Sequence, residues 1–141
     1  MLTCLALLAV AAAGCTVSQP NAPQQTYAGL ERPKSEVAVV ECGLSTRILA
    51  IDGDDSHLGQ ARRDRFSLLP GEHSFRVTLA PDAISGGEDR GEPRTVTFEL
   101  KAGHVYAISV FAQPVAGRAW GVVVSDRTTN TDLIDPYLAR Q

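Results

Sequence analysis

The chain is poor in the residues that most often carry chemistry. It holds only three cysteines, three histidines and one tryptophan in 141 residues, and aromatics make up 6%. Basic charge is not in excess either: Lys plus Arg number 13 against 16 Asp plus Glu, a net charge of −3. A nucleic-acid-binding domain needs a clearly basic face, so that class of partner is excluded. No apolar run approaches the ~20 residues that span a bilayer as a helix. There is no Gly-x-Ser-x-Gly elbow, no His-Glu-x-x-His pair and no glycine-rich strand-to-helix loop, so the common nucleophilic, zinc and phosphate signatures are missing. What is present, 44% hydrophobic and 21% charged residues, is the composition of one small globular domain.

Residues 1–14 contain no charge, and no Lys or Arg occurs before Arg32. The apolar run from Leu5 to Ala13 has the length of a signal-peptide core. It ends in Ala12-Ala13-Gly14-Cys15, which resembles the bacterial lipoprotein lipobox. The resemblance implies that 1–14 is a signal peptide and that Cys15 is acylated as the first residue of the mature chain. Thr16 is not the aspartate that retains such proteins in the inner membrane, so an outer-membrane anchor facing the periplasm is expected. The competing reading is a short buried helix with Cys15 in a core. On the lipoprotein reading Cys4 leaves with the leader and Cys15 carries lipid, which leaves Cys42 alone and forbids an internal disulfide.

From Cys15 to Ser35 the composition is that of a linker, with Pro20, Pro23 and Pro33 among small and amide side chains. Such a segment buries too little to repay its ordering entropy, so a disordered tether is expected. From Glu36 onward, runs rich in Val, Ile, Thr and Phe alternate with Gly, Pro and Asp punctuation. Strands are expected over 36–42, 46–52, 64–69, 72–80, 94–101, 104–112 and 118–125, with a further edge strand at 132–134. His73, Phe75, Val77 and Leu79 share one face of their strand, and Val96, Phe98 and Leu100 share one face of theirs. The runs around Val105–Phe111 and Trp120–Val124 are apolar on both faces, which suits central strands. Asp52-Gly53, Pro70-Gly71 and Ala102-Gly103 carry turn chemistry. The expected fold is all-β, a single Ig-like or prealbumin-like β-sandwich of about seven strands over 36–135, with 136–141 as a tail.

The stretches Ile48-Leu49-Ala50-Ile51-Asp52-Gly53 and Phe66-Ser67-Leu68-Leu69-Pro70-Gly71-Glu72-His73-Ser74-Phe75-Arg76-Val77 resemble the PEGA and carboxypeptidase-regulatory-like β-sandwich modules. Lys101-Ala102-Gly103-His104-Val105-Tyr106 and the Trp120–Asp126 segment resemble small proteobacterial lipoproteins of unknown function. These likenesses imply binding or architectural modules with no shared catalytic residues and no cofactor.

Four groups of residues remain to be weighed. Asp52, Asp54 and Asp55 form the densest carboxylate cluster, as a hard cation would want, though a solvated turn explains them as well. His57, His73 and His104 lack zinc-ligand spacing, and Glu88 with Glu92 lies in a Gly-rich stretch unsuited to acid/base geometry. Arg62, Arg63 and Arg65 form a local basic patch that could meet anionic lipid or glycan, with Trp120 or Tyr106 as a stacking surface. The expected function is therefore a non-enzymatic envelope lipoprotein that binds another envelope protein. The alternatives are a module for peptidoglycan or anionic lipid, and a metal-dependent enzyme.

Overall fold

The computed structural model describes residues 22–56, 58, 65–80, 92–111 and 120–134. Among them the backbone is all-β: β1 (Gln24–Gln25), β2 (Ala38–Cys42), β3 (Thr46–Ile51), β4 (Arg65–Leu68), β5 (Gly71–Leu79), β6 (Arg94–Leu100), β7 (Val105–Phe111), β8 (Gly121–Asp126) and β9 (Thr131–Ile134). Two sheets result, one of six strands in the order β1-β4-β2-β7-β8-β9 and one of three in the order β3-β5-β6, and neither closes into a barrel. Each of the seven expected main strands has a counterpart, and β9 extends the expected edge strand. β1 is additional.

Period-two patterning places the core. In β5, Phe75, Val77 and Leu79 are buried while Glu72 and Arg76 are exposed, and in β6 Phe98 and Leu100 are buried while Thr95, Thr97 and Glu99 are exposed. These inner faces meet Phe66, Leu68, Tyr106, Ile108, Trp120 and Val124 in one hydrophobic cluster shared by both sheets. Phe98 joins the layers: its ring lies 5.2 Å from that of Phe75 in its own sheet and 5.8 Å from that of Tyr106 in the other. β7 and β8 are inner strands, β7 between β2 and β8 and β8 between β7 and β9; Tyr106, Ile108, Val110, Val122 and Val124 are buried on one face, while Val105, Ser109, Phe111, Val123 and Ser125 on the other are half-buried.

One buried hydroxyl completes a ladder where a strand departs. β2 pairs in parallel with β7 only as far as Cys42↔Ile108. The chain then crosses to the other sheet through Gly43. Beyond that point the Val110 N–H faces no backbone partner in β2, and Thr46 Oγ1 accepts from it at 2.9 Å while donating to the Ile108 carbonyl at 3.3 Å. Thr46, 8% exposed, thus bridges the two sheets.

Pro70-Gly71, expected to carry turn chemistry, links the two sheets, because β4 belongs to the six-stranded sheet and β5 to the three-stranded one. A Pro-Gly pair sets local dihedrals and is equally able to carry a strand between layers. Within the expected tether of 15–35, residues 24–26 pair with the body. Gln24↔Phe66 and Gln25↔Ser67 pair β1 in parallel with the free edge of β4. Thr26 N–H adds a bond to the Ser67 carbonyl, and Gln25 Nε2 donates to the carbonyls of Tyr27 and Gly29. Amide side chains that read as linker composition here satisfy a compact turn.

Strand directions give the body two unlike ends. At one end short turns follow β3, join β4 to β5, β6 to β7, and β8 to β9. We call this the turn end. At the other, the loop end, lie the β2–β3 crossover, the last residues of β5, β7 and β9 and the first residues of β1, β4, β6 and β8.

Candidate functional site

The polar side chains of the turn end are committed to holding turns. Asp52 and Gly53 both have positive φ, 52° and 79°, and Ile51 and Asp54 exchange N–H···O bonds of 2.9 Å across them. This is a two-residue type I′ turn, for which Asp-Gly is a preferred sequence. Asp52 then reaches β5. Its Oδ1 accepts from the Ser74 N–H at 2.8 Å, its own N–H donates to the Ser74 carbonyl at 2.8 Å, and its Oδ2 lies 2.6 Å from His73 Nδ1. The other ring nitrogen of His73 lies 2.8 Å from the Leu69 carbonyl. Both partners of the ring are acceptors, so His73 ties the end of β3 to the β4–β5 link and keeps neither nitrogen for a substrate.

A second pair, His104 and Asp126, closes the neighbouring turns. His104 Nδ1–H donates to Asp126 Oδ2 at 2.7 Å, and Asp126 Oδ1 accepts from the N–H groups of Thr128 and Thr129 at 2.9 and 3.2 Å. Thr128 Oγ1 in turn accepts from the Val105 N–H at 2.9 Å. Asp126 is 5% exposed. Burial pushes its carboxyl upward, but the hydrogen bonds from His104 and from the Thr128 and Thr129 amides outweigh this and hold it below the ordinary carboxylate range. The neighbouring Tyr106 phenol is pushed up by burial, a shift partly offset by the Lys101 N–H that it accepts at 2.9 Å.

Among the described residues no group of three or more His, Cys, Asp or Glu side chains could hold a metal ion. Asp52 is bound into the β3–β5 turn, Asp54 Oδ1 caps the Ser56 N–H at 2.8 Å, and Asp55 is exposed beside them. The three carboxylates therefore do not converge.

At the loop end Arg65 Nε lies 3.1 Å from Glu41 Oε1 across the β2–β4 pair, a half-exposed contact of the kind worth at most about 1 kcal/mol. Arg94 stacks over the Trp120 ring with its guanidinium carbon 4.4 Å from the centroid. Leu44, in the β2–β3 crossover, is 91% exposed.

The expected stacking surface is not there. Trp120 and Tyr106 are each 1% exposed, and both rings are spent on the core. Large aromatics on strands bury 150–250 Å² each, and a domain of this size cannot easily leave them outside. Of the basic patch only Arg65 is described, and it pairs with Glu41. Cys15, His57, Arg62, Arg63 and Glu88, like the leader and the tail from 136, lie outside the described residues. Cys42 is half-buried against the core. Sequence reasoning missed Leu44, whose signal was an apolar residue between Gly43 and Ser45 where a turn calls for polar ones. It also missed the Arg94–Trp120 stack, which no spacing reveals.

No protein-family model matches the chain. Comparison with curated proteins and with solved structures likewise gives no match. The functional reading therefore rests on the residues themselves.

Proposed function

We propose that the chain is a non-enzymatic lipoprotein of the bacterial cell envelope, acylated at Cys15 in the outer membrane and facing the periplasm. Its body is a β-sandwich of the Ig-like or prealbumin-like kind, acting as an interaction or accessory module of an envelope assembly. The observation that carries this reading is the junction of a lipobox-like Ala12-Ala13-Gly14-Cys15 with a two-sheet body whose first strand begins at Gln24. The commitment of His73, His104, Asp52 and Asp126 to turns supports a binding role over a catalytic one.

The test is crosslinking of intact Gram-negative cells that express the full chain, followed by identification of what co-purifies with wild type and not with Cys15→Ala. One dominant envelope protein is the expected outcome. Recovery of sacculus fragments or lipid with no protein would replace this reading by a wall- or lipid-binding one. A Cys15 that carries no acyl group would remove the anchor.

A further inference from the structure

β6 is an edge of the three-stranded sheet, and among the described residues its one strand partner is β5. Sheet edges are ordinarily protected by shortness, by bulges, or by proline and lysine within the strand. The other edges carry such devices. β1 has two residues, the register slips within β3 between Ile48 and Ala50, and β9 has four residues and a slip against β8 between Val124 and Ser125. β6 keeps register over all seven of its residues, and Pro93 and Lys101 flank it without entering it.

The bonds of β5 decide which groups of β6 stay open. The Ser74 N–H donates to Asp52 Oδ1 and the Ser74 carbonyl accepts from the Asp52 N–H, both at 2.8 Å, and the Ala80 N–H donates to the Ser45 carbonyl at 2.8 Å. The even-numbered residues of β5 therefore turn their N–H and C=O groups toward β3. By the alternation of an antiparallel ladder, the odd-numbered ones turn theirs toward β6, and His73↔Phe98 and Phe75↔Val96 are bonded pairs. Thr95, Thr97 and Glu99, which lie opposite Arg76, Ser74 and Glu72, point their N–H and C=O groups away from β5, along the open edge. Their side chains are exposed on the outer face.

We propose that this edge takes β6 of a second copy of the chain, antiparallel about a two-fold axis at Thr97. Such an interface is isologous, and pairing through main-chain bonds at a sheet edge is an established mode of recognition. One register pairs every open group. Thr97 faces Thr97 of the partner subunit, and Thr95 faces the partner's Glu99, as Glu99 faces the partner's Thr95. A slip of one bonded step sets Pro93, which has no N–H, against the partner's Glu99, or carries Lys101 from beyond the strand onto the partner's Thr95. A further slip opposes Glu99 to the partner's Glu99, and like charges directly opposite are unfavourable.

The side chains suit the same register. Within one copy Glu72 and Glu99 already stand directly opposite each other. In the pair, the partner's Arg76 stands two strands, about 10 Å, from Glu99, and the short partner's Thr95 between them lets the two long side chains approach. On the inner face the half-buried Val96 comes opposite the partner's Phe98, and beyond the strand Glu92 falls beside the partner's Lys101. The pairing uses residues of the body alone and stands whether or not Cys15 carries lipid.

The experiment places Thr97→Cys, Thr95→Cys or Glu99→Cys singly in the full chain with Cys42→Ser, purifies each protein, oxidises it with copper phenanthroline and reads the linked product against the Cys42→Ser parent. Opposed residues of a bonded pair have Cα atoms about 5.5 Å apart, within disulfide range, whereas the two copies of residue 95, or of residue 99, lie more than about 13 Å apart. A disulfide-linked dimer is expected as the main product of Thr97→Cys, with less than a tenth as much from either other variant alone, and mixing Thr95→Cys with Glu99→Cys is expected to restore it. A Thr97→Cys chain that stays monomeric, or equal linking by all three variants, would overturn the proposal. Thr97→Pro removes an N–H that points away from β5, so the β5–β6 ladder survives. Light scattering is expected to show its mass halved relative to wild type with the Trp120 fluorescence melt retained. A folded Thr97→Pro chain of unchanged mass would also overturn the pairing.

Discussion

Replacing Thr46 by Val tests whether the two sheets are joined by a hydrogen bond or by packing alone. Valine has nearly the shape of threonine, so the change leaves no cavity and removes only the hydroxyl. The Ile108 carbonyl keeps the Gly43 N–H at 2.9 Å and stays satisfied. The Val110 N–H, which donates to Thr46 Oγ1 at 2.9 Å in the buried interior, loses its partner. A buried donor left unpaired costs about 1–3 kcal/mol, and for a domain of this size about 2 kcal/mol lowers Tm by roughly 8–16 °C. Thr46→Ser keeps the hydroxyl and loses a methyl, at about 1 kcal/mol. Trp120 is the only tryptophan and is 1% exposed, so its fluorescence reports loss of the core directly in a urea titration. The expected order of stability is wild type, then Ser, then Val, with the slope of the titration unchanged. A Val variant within about 0.5 kcal/mol of wild type would refute the bridge, and so would a Ser variant that loses as much as Val.

The remaining predictions concern the turns and one crowded cross-strand pair. Because the Asp126 carboxyl is held below its unfolded value, it contributes stability that is present above the ordinary carboxylate range and is lost as pH falls through the folded value. Asp126→Asn is expected to lose about 1.5–3 kcal/mol at neutral pH and to show a shallower acid limb than wild type in urea titrations across pH. Asp52→Ala removes the acceptor of the Ser74 N–H and puts a Cβ residue of no turn preference at φ 52°, for an expected loss of about 1–3 kcal/mol. A thermal melt indistinguishable from wild type would count against the clamp. A Cβ on Gly121 would collide with the Phe111 ring, so Gly121→Ala is expected to destabilise by about 1–3 kcal/mol. The loss should shrink in a Phe111→Ala background, and a double-mutant cycle with no coupling would contradict the contact.

The strands were legible in the sequence because burial on one face leaves a period-two record. Phe75, Val77 and Leu79 against Glu72 and Arg76 is that record in β5, and it survives into the structure without a shift. Continuous apolar runs marked β7 and β8 as inner strands, and they are, with one face buried and the other largely half-buried. Layer assignment left no such record. Pro70-Gly71 reads alike whether it reverses a strand within a sheet or carries it across to the other, since the dihedrals it sets are local. β1 escaped notice because two glutamines have no hydrophobic period, and what holds them is the unpaired edge of β4, a property of the fold and not of the segment.

The site was less legible, and residue type explains why. Asp and His near Gly-rich turns suit metal binding and turn closure equally well, and only geometry separates the two. Asp52 divides its oxygens between the Ser74 amide and His73, and Asp126 divides its own between His104 and two threonine amides. Each carboxylate is satisfied by the turn that it closes, so neither has an oxygen to spare for a shared ion. The same ambiguity applied to Trp120 and Tyr106, whose rings suit a sugar platform and a core alike. Here Phe98 packs against Tyr106 and Arg94 lies over Trp120, taking the space that a ligand would need. With the Asp and His side chains of the turn end committed to its closures, the large apolar side chains left most exposed among the described residues are Leu30 and Leu44.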